Sequence, residues 1–239
     1  VFSWFRRRRT SPPASHRLRS RDEQNPAAKV DLAELAPGII PYLGLVSYLQ
    51  LEVYEATSRA VASAPDLAAK EILSNAAGLA LDKHQEFAAE IRRRHREPAV
   101  VMEPYTHTID RYVDRVEPAN WNEQLLLVYL VGGLFDEFFA QLASGLTDGY
   151  GPKAADILRG ESGRAGIATL LERAIRDNPK TGDRLALWGR RLVGDSLLVA
   201  RSSLVLSDNT ASDEKKIEPV FTELISTHIK RMDALGLTA

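Results

Sequence analysis

Two metal ions bridged by carboxylates inside a helical bundle need a definite set of side chains. One Glu comes from each of two helices and Glu-x-x-His from each of the other two, because residues i and i+3 share a helix face. The chain has five histidines, His16, His84, His95, His107 and His228, and three places before them stand Pro13, Leu81, Arg92, Pro104 and Ile225. Neither Glu-x-x-His nor Asp-x-x-His occurs anywhere. The chain has no cysteine, so disulfides, thiolate metal sites and cysteine nucleophiles are excluded. No glycine-rich phosphate loop is present, and no spacing of Ser, His and Asp points to a triad. His107-Thr108-Ile109-Asp110 is explained by helix capping. Trp188-Gly189-Arg190-Arg191 reads as a partly exposed helix face, or as a phosphate contact.

Helical periodicity selects the polar residues that face inward. Leu43, Val46, Gln50, Val53, Thr57 and Val61 form one stripe, with Glu52, Glu55 and Arg59 on the opposite side. Leu73, Ala77, Leu81, His84, Ala88 and Ile91 form a second. Tyr129, Gly132, Asp136, Ala140 and Ala143 form a third, and Ile157, Leu158, Glu161, Arg164, Ala168 and Leu171 a fourth. The interior polar set is therefore Gln50, His84, Asp136, Glu161 and Arg164. Plainer readings stand beside it. Gln50 is a core amide, His84 a satisfied core histidine and Asp136 a solvent-facing acid. Glu161 and Arg164, at i,i+3, are a surface ion pair. In the sharper reading the guanidinium of Arg164 lies inside and supplies the positive charge of a missing metal.

The elements that would position these residues are all helical. Helices are expected over Tyr42–Ala64 after Pro41, from Asp66 to about Arg96, and over Thr106–Val116 with Thr106 as N-cap. Others are expected over Trp121–Leu146 with Asn120 as N-cap, Lys153–Asp177, Thr181–Leu206 and Pro219–Leu235. Asp148-Gly149-Tyr150-Gly151-Pro152 is a strong break. No stretch alternates with period two for long enough to make a sheet. Two helical hairpins joined by one long crossover, Glu97 to Trp121, describe a four-helix bundle with an additional C-terminal helix or two.

The composition, 44% hydrophobic and 26% charged, is that of a globular domain. The formal net charge of -1 names no partner, but its distribution is uneven. Residues 1–30 carry eight basic and two acidic side chains, a net +6 that leaves -7 on the rest. This segment reads as a disordered basic tail, with the helical domain over 31–239. Phe2, Trp4 and Phe5 beside Arg6, Arg7, Arg8 and Arg9 suit an anionic membrane surface or RNA; the alternative is a solvated leader without a partner. The order of charge and apolar residues at the start is not that of a secretory signal. The longest apolar run, Leu125 to Phe135, is short for a membrane span. These features lead to the expectation of a cytoplasmic protein, with a peripheral position on the inner face of the membrane as a variant and a homodimer allowed.

Two stretches carry a family resemblance. One comprises Met102-Glu103-Pro104-Tyr105, Ile109-Asp110-Arg111-Tyr112, Pro118-Ala119-Asn120-Trp121 and Tyr129. The other, more specific, runs Arg184-Leu185-Ala186-Leu187-Trp188-Gly189-Arg190-Arg191-Leu192-Val193-Gly194. Together they resemble the tRNA hydroxylase (MiaE-like) branch of the ferritin-like superfamily, particularly its actinobacterial group, over roughly residues 35–210. The resemblance implies a ferritin-like bundle. In active members it implies a non-haem di-iron centre that hydroxylates an isopentenyl-type group on a modified tRNA adenosine. Carried over by position, the first-helix Glu falls at Gln50. The second-helix Glu falls at Leu81, with His84 as its retained partner. The third-helix acid falls near Gly132, one turn before Asp136. The fourth-helix acid matches Glu161, and its histidine partner falls at Arg164. Two matched ligands cannot hold two irons. The expectation is therefore a non-catalytic binding or scaffold protein with a degenerate site and no cofactor. The alternative is a di-iron hydroxylase with an altered site using His84, Asp136, Glu161 and Glu52.

Overall fold

The computed structural model describes residues 32–207 and 210–237, and among these every regular element is a helix. The basic tail and its Phe2, Trp4, Phe5 and Arg6 to Arg9 lie outside the described residues. Helix α1 (Ile39–Ala62) carries Pro41 in its first turn, where the missing N–H costs no hydrogen bond. Helix α2 (Leu67–Arg93) starts on Asp66, whose carboxylate accepts the Ala69 N–H at 2.8 Å. Arg92 and Arg93 end it, where cations favour the helix dipole. The two helices pack along each other as the first hairpin.

Helix α3 (Pro98–Arg115) makes the crossover and lies on α1. At the crossing, a Cβ on Gly44 would stand 2.3 Å from the Val101 carbonyl oxygen, so only glycine admits this approach. The second hairpin begins with one continuous rod: α4 (Trp121–Leu127), a π-helical segment (Val128–Gly132) and α5 (Gly133–Leu142). Asn120 caps it by accepting the Glu123 N–H at 3.1 Å, and Glu123 reaches back to the Ala119 N–H at 2.8 Å. By length and composition Trp121–Gly145 could cross a membrane, but 83% of its apolar window is buried inside the protein. It is the central rod of the bundle. Its Phe138 and Phe139 pack edge to face at 5.0 Å between ring centres and, with Tyr42 and Phe87, are fully buried. The return strut is α6 (Gly151–Arg159) followed by α7 (Arg164–Asp177). Helices α8 (Pro179–Ser202) and α9 (Thr210–Ala234) are added outside, with α9 against α5 and α8.

Three expectations are corrected. Thr106 is not an N-cap: α3 is capped nine residues earlier at Glu97, with Pro98 in its first turn. Pro104 is tolerated inside it because that turn faces solvent, where water can take the freed carbonyl. Helix α9 likewise begins at Thr210 and carries Pro219 within it. The helix expected over Lys153–Asp177 is broken at 160–163, where Gly163 has φ 67° and a Cβ on it would lie 2.6 Å from that of Ala76. That break changes the site.

Candidate functional site

The Asp136 carboxylate is the hub where the four rods meet. It is buried, and three donors converge on it. The amide Nε2 of Gln50, from α1, donates to Oδ1 at 2.8 Å. Lys83 Nζ, from α2, donates to Oδ2 at 2.9 Å and also to the Leu158 carbonyl of α6 at 2.8 Å. Arg164 Nη1, at the start of α7, donates to the same Oδ2 at 2.9 Å. One acid on α5 therefore ties together α1, α2 and α7, and through Lys83 also α6. Beside it lies a cavity of about 20 Å³ whose polar lining is Gln50, Lys83, Asp136, Ser162 and Arg164. Val53, Ala80, Val128 and Gly132 complete the wall.

Of the five residues singled out by periodicity, Gln50, Asp136 and Arg164 come together here. His84 and Glu161 do not. His84 is half-buried and turned toward α1, its Nδ1 2.9 Å from the Ser47 carbonyl oxygen. A carbonyl only accepts, so that nitrogen is the donor. Glu161 lies in the break between α6 and α7. It is exposed and accepts the backbone N–H groups of Ser162 and Gly163, each at 3.0 Å. Those two donors hold its carboxyl below the usual carboxylate range. The break also undoes the i,i+3 relation that would have paired Glu161 with Arg164.

Lys83 is the residue that stripe reading missed. On α2 the cavity is lined by Ala80 and Lys83, not by Leu81 and His84; Leu81 is only half-buried. A signal existed, because Ala76, Ala80, Lys83, Phe87 and Ile91 follow helical spacing and all are buried. A lysine in such a run is normally assigned to solvent, which turned the reading one residue away. Glu52 is also elsewhere. It is half-buried near Tyr48, whose hydroxyl donates to Asp110 Oδ1 at 2.5 Å. Burial, and then the nearby Glu55, raise its carboxyl above the ordinary value. Arg59 and Glu55 pair at 2.6 Å on the outer face, as the opposite stripe required.

Helix α9 packs beside the site. Arg231 Nη2 donates to the Gly133 carbonyl at 3.1 Å, next to the π segment. The guanidinium fills the space over Gly133 that a Cβ would occupy, at 3.0 Å. His228 is buried and its Nε2 donates to the Gly189 carbonyl at 3.0 Å.

The donor chemistry decides what this centre can hold. Guanidinium and ammonium groups offer only hydrogens, and the amide of Gln50 is turned nitrogen-first toward Asp136. That leaves one carboxylate, already engaged by two cations, where a di-iron centre needs about six ligands. Among the described residues no group of three or more His, Cys, Asp or Glu could hold a metal ion. The residues present do not fit a di-iron group.

A search of curated proteins finds no match. A family model described as the ferritin-like domain of actinomycetes matches residues 34–213, from the short 3-10 helix before α1 to the start of α9. With the two hairpins, the crossover helix and the central site in place, the chain belongs to the ferritin-like domain family of actinomycetes.

Proposed function

We propose that this protein is a non-catalytic member of the ferritin-like fold that works by binding or scaffolding, with an internal ion-pair cluster in place of a metal centre. The observation that carries the reading is Asp136 held by both Lys83 and Arg164 at 2.9 Å. Two cations converge on the one acid at the centre of the four rods. They neutralise the carboxylate as a metal would and repel any metal that approached it. In this reading the chain derives from the tRNA hydroxylase (MiaE-like) branch, on the strength of the Arg184 to Gly194 segment, and has given up the oxygen chemistry of that branch. Phe2, Trp4, Phe5 and Arg6 to Arg9 of the basic tail supply affinity for an anionic partner in the cytoplasm.

Anaerobic Fe(II) loading followed by air, with metal analysis and an absorption spectrum, tests the central claim. The expected result is iron far below stoichiometric and no di-ferric band. Near-stoichiometric iron with such a band would overturn it and favour a hydroxylase with an altered site. For the tail, deletion of residues 2–9 should abolish retention on an anionic surface, read separately on anionic liposomes and on RNA. Retention unchanged on both would remove the tail from the proposal.

A further inference from the structure

The central cluster does not balance its charge. Two cations, Lys83 and Arg164, face one carboxylate, Asp136, and their side chains are 7%, 28% and 9% exposed. No other acid nearby is buried. Arg231 from α9 adds a third cation, close enough to Arg164 for the two to repel. Glu161, on the α6–α7 side, attracts both Arg164 and Lys83, but it is exposed, its carboxylate accepts backbone N–H groups, and water screens the attraction. Glu137 attracts Arg231, but it is half-buried and also engaged by Arg159 at 3.6 Å and Gln141 at 3.0 Å. An excess positive charge in a desolvated centre is costly unless something compensates it. Water in the cavity can solvate that charge but cannot neutralise it.

The cavity supplies a place for compensation. Its volume of about 20 Å³ exceeds the ~10–15 Å³ that one water needs, which is room for one small ion. Unused donors border it. Lys83 has three hydrogens and two partners, Arg164 has five and one partner here, and Gln50 Nε2 has a second hydrogen. Opposite them are the methyl groups of Val53 and Val128, a mixed polar and apolar lining that suits a weakly hydrated anion. We infer that the cavity binds a small monatomic anion of the halide class, chloride being the cellular example, beside Lys83 and Arg164. The old metal position thus becomes an anion site. The inference rests on the proposed loss of the metal centre. Arg164, being partly exposed, marks the side from which the ion exchanges.

Thermal unfolding of the full chain in sodium chloride or bromide, against sodium gluconate at equal ionic strength, tests this. Gluconate is a much bulkier anion than a halide. A saturable rise of roughly 3–5 °C is expected when the halide reaches about ten times its dissociation constant. In Arg164→Leu the remaining Lys83–Asp136 pair is neutral, and the halide effect should vanish. Should that variant fail to fold, bromide anomalous diffraction on the unaltered protein gives an independent reading, with a peak expected in contact with Lys83 and Arg164. Equal stability in halide and gluconate overturns the inference, as does water alone in the cavity. A bromide peak without a saturable solution effect marks an adventitious ion only, and also overturns it. Iron loading separates the two claims. Stoichiometric iron defeats the proposed function, whereas no iron and no halide effect defeats this inference alone.

Discussion

Two carboxylates in this protein each hold two cations, and they do so in different surroundings. Asp136, at the centre, holds Lys83 and Arg164. Glu90, at the C-terminal end of α2, holds Arg93 at 2.5 Å and Arg94 at 2.9 Å. At that end the charges are completed: Arg94 also pairs with Asp148 at 2.5 Å, and its guanidinium lies over the Tyr150 ring at 5.8 Å. Arg93 is half exposed, so water solvates what the acids do not. At the centre no second acid forms a salt bridge with either cation among the described residues, exposed Glu161 attracts both only across solvent, and the cavity has room for about one water. The same motif is a clamp at the end of the bundle and a charged substitute for a cofactor at its middle. What distinguishes them is less the number of bonds than the cost of breaking one.

The sharpest test of that contrast is Asp136→Asn, which leaves buried Lys83 and half-buried Arg164 without their shared counter-charge. A loss of about 3–5 kcal/mol in urea unfolding is expected. The triple change Asp136→Leu, Lys83→Met and Arg164→Leu should recover most of it, because an apolar filling of similar volume is often neutral or stabilising. Glu90→Gln should cost less, about 1–2 kcal/mol, since the freed arginines reach water. If it costs as much as Asp136→Asn, the exposure of the paired cations is not what separates the two sites, for the two carboxylates themselves are equally buried. His228 comes next. Burial holds its imidazole below the ordinary value of 6.5, and its Nδ1 has no hydrogen-bond partner among the described residues. The folded state therefore binds fewer protons than the unfolded one in acid. The contribution is whole above pH 6.5 and is lost as pH falls below it. A plot of Tm against pH from about 7.5 to about 5 should slope down toward acid, and His228→Gln should flatten it. An unchanged slope in that variant would assign the acid sensitivity elsewhere. Glu55→Gln, on the exposed face of α1, should change stability least, by about 0.3–0.5 kcal/mol, and less still in high salt.

How far the sequence led can be read from particular residues. The helical class and most helix starts were legible because their signals are local: Asp66 and Asn120 cap where expected. Gln50, Asp136 and Arg164 were legible because each interrupts an apolar stripe. Lys83 was not, since a lysine offers no local hint that its ammonium ends in the core; its partners, Asp136 and the Leu158 carbonyl, are 53 and 75 residues away. Glu161 was misplaced for a different reason. Helical spacing continues across 157–171, and only Gly160 and Gly163 announce that the helix stops in between. The π segment left no mark in the apolar pattern, because all of Leu125 to Leu130 except Tyr129 is buried anyway.

That segment, Val128–Gly132, also makes the central rod a helix with an adjustable angular phase. A π turn stores one residue more than an α turn, so it absorbs an insertion without rotating the helix downstream. Were it to rewind as regular α-helix with every residue kept, α5 would turn by about 100° relative to α4. Asp136 would then swing away from Lys83, and Phe135, Phe138 and Phe139 out of the core. The place where this rod can lose a residue is therefore already built. A one-residue deletion within 128–132 should leave both halves in phase, whereas the same deletion in α4 or α5 would misalign everything beyond it.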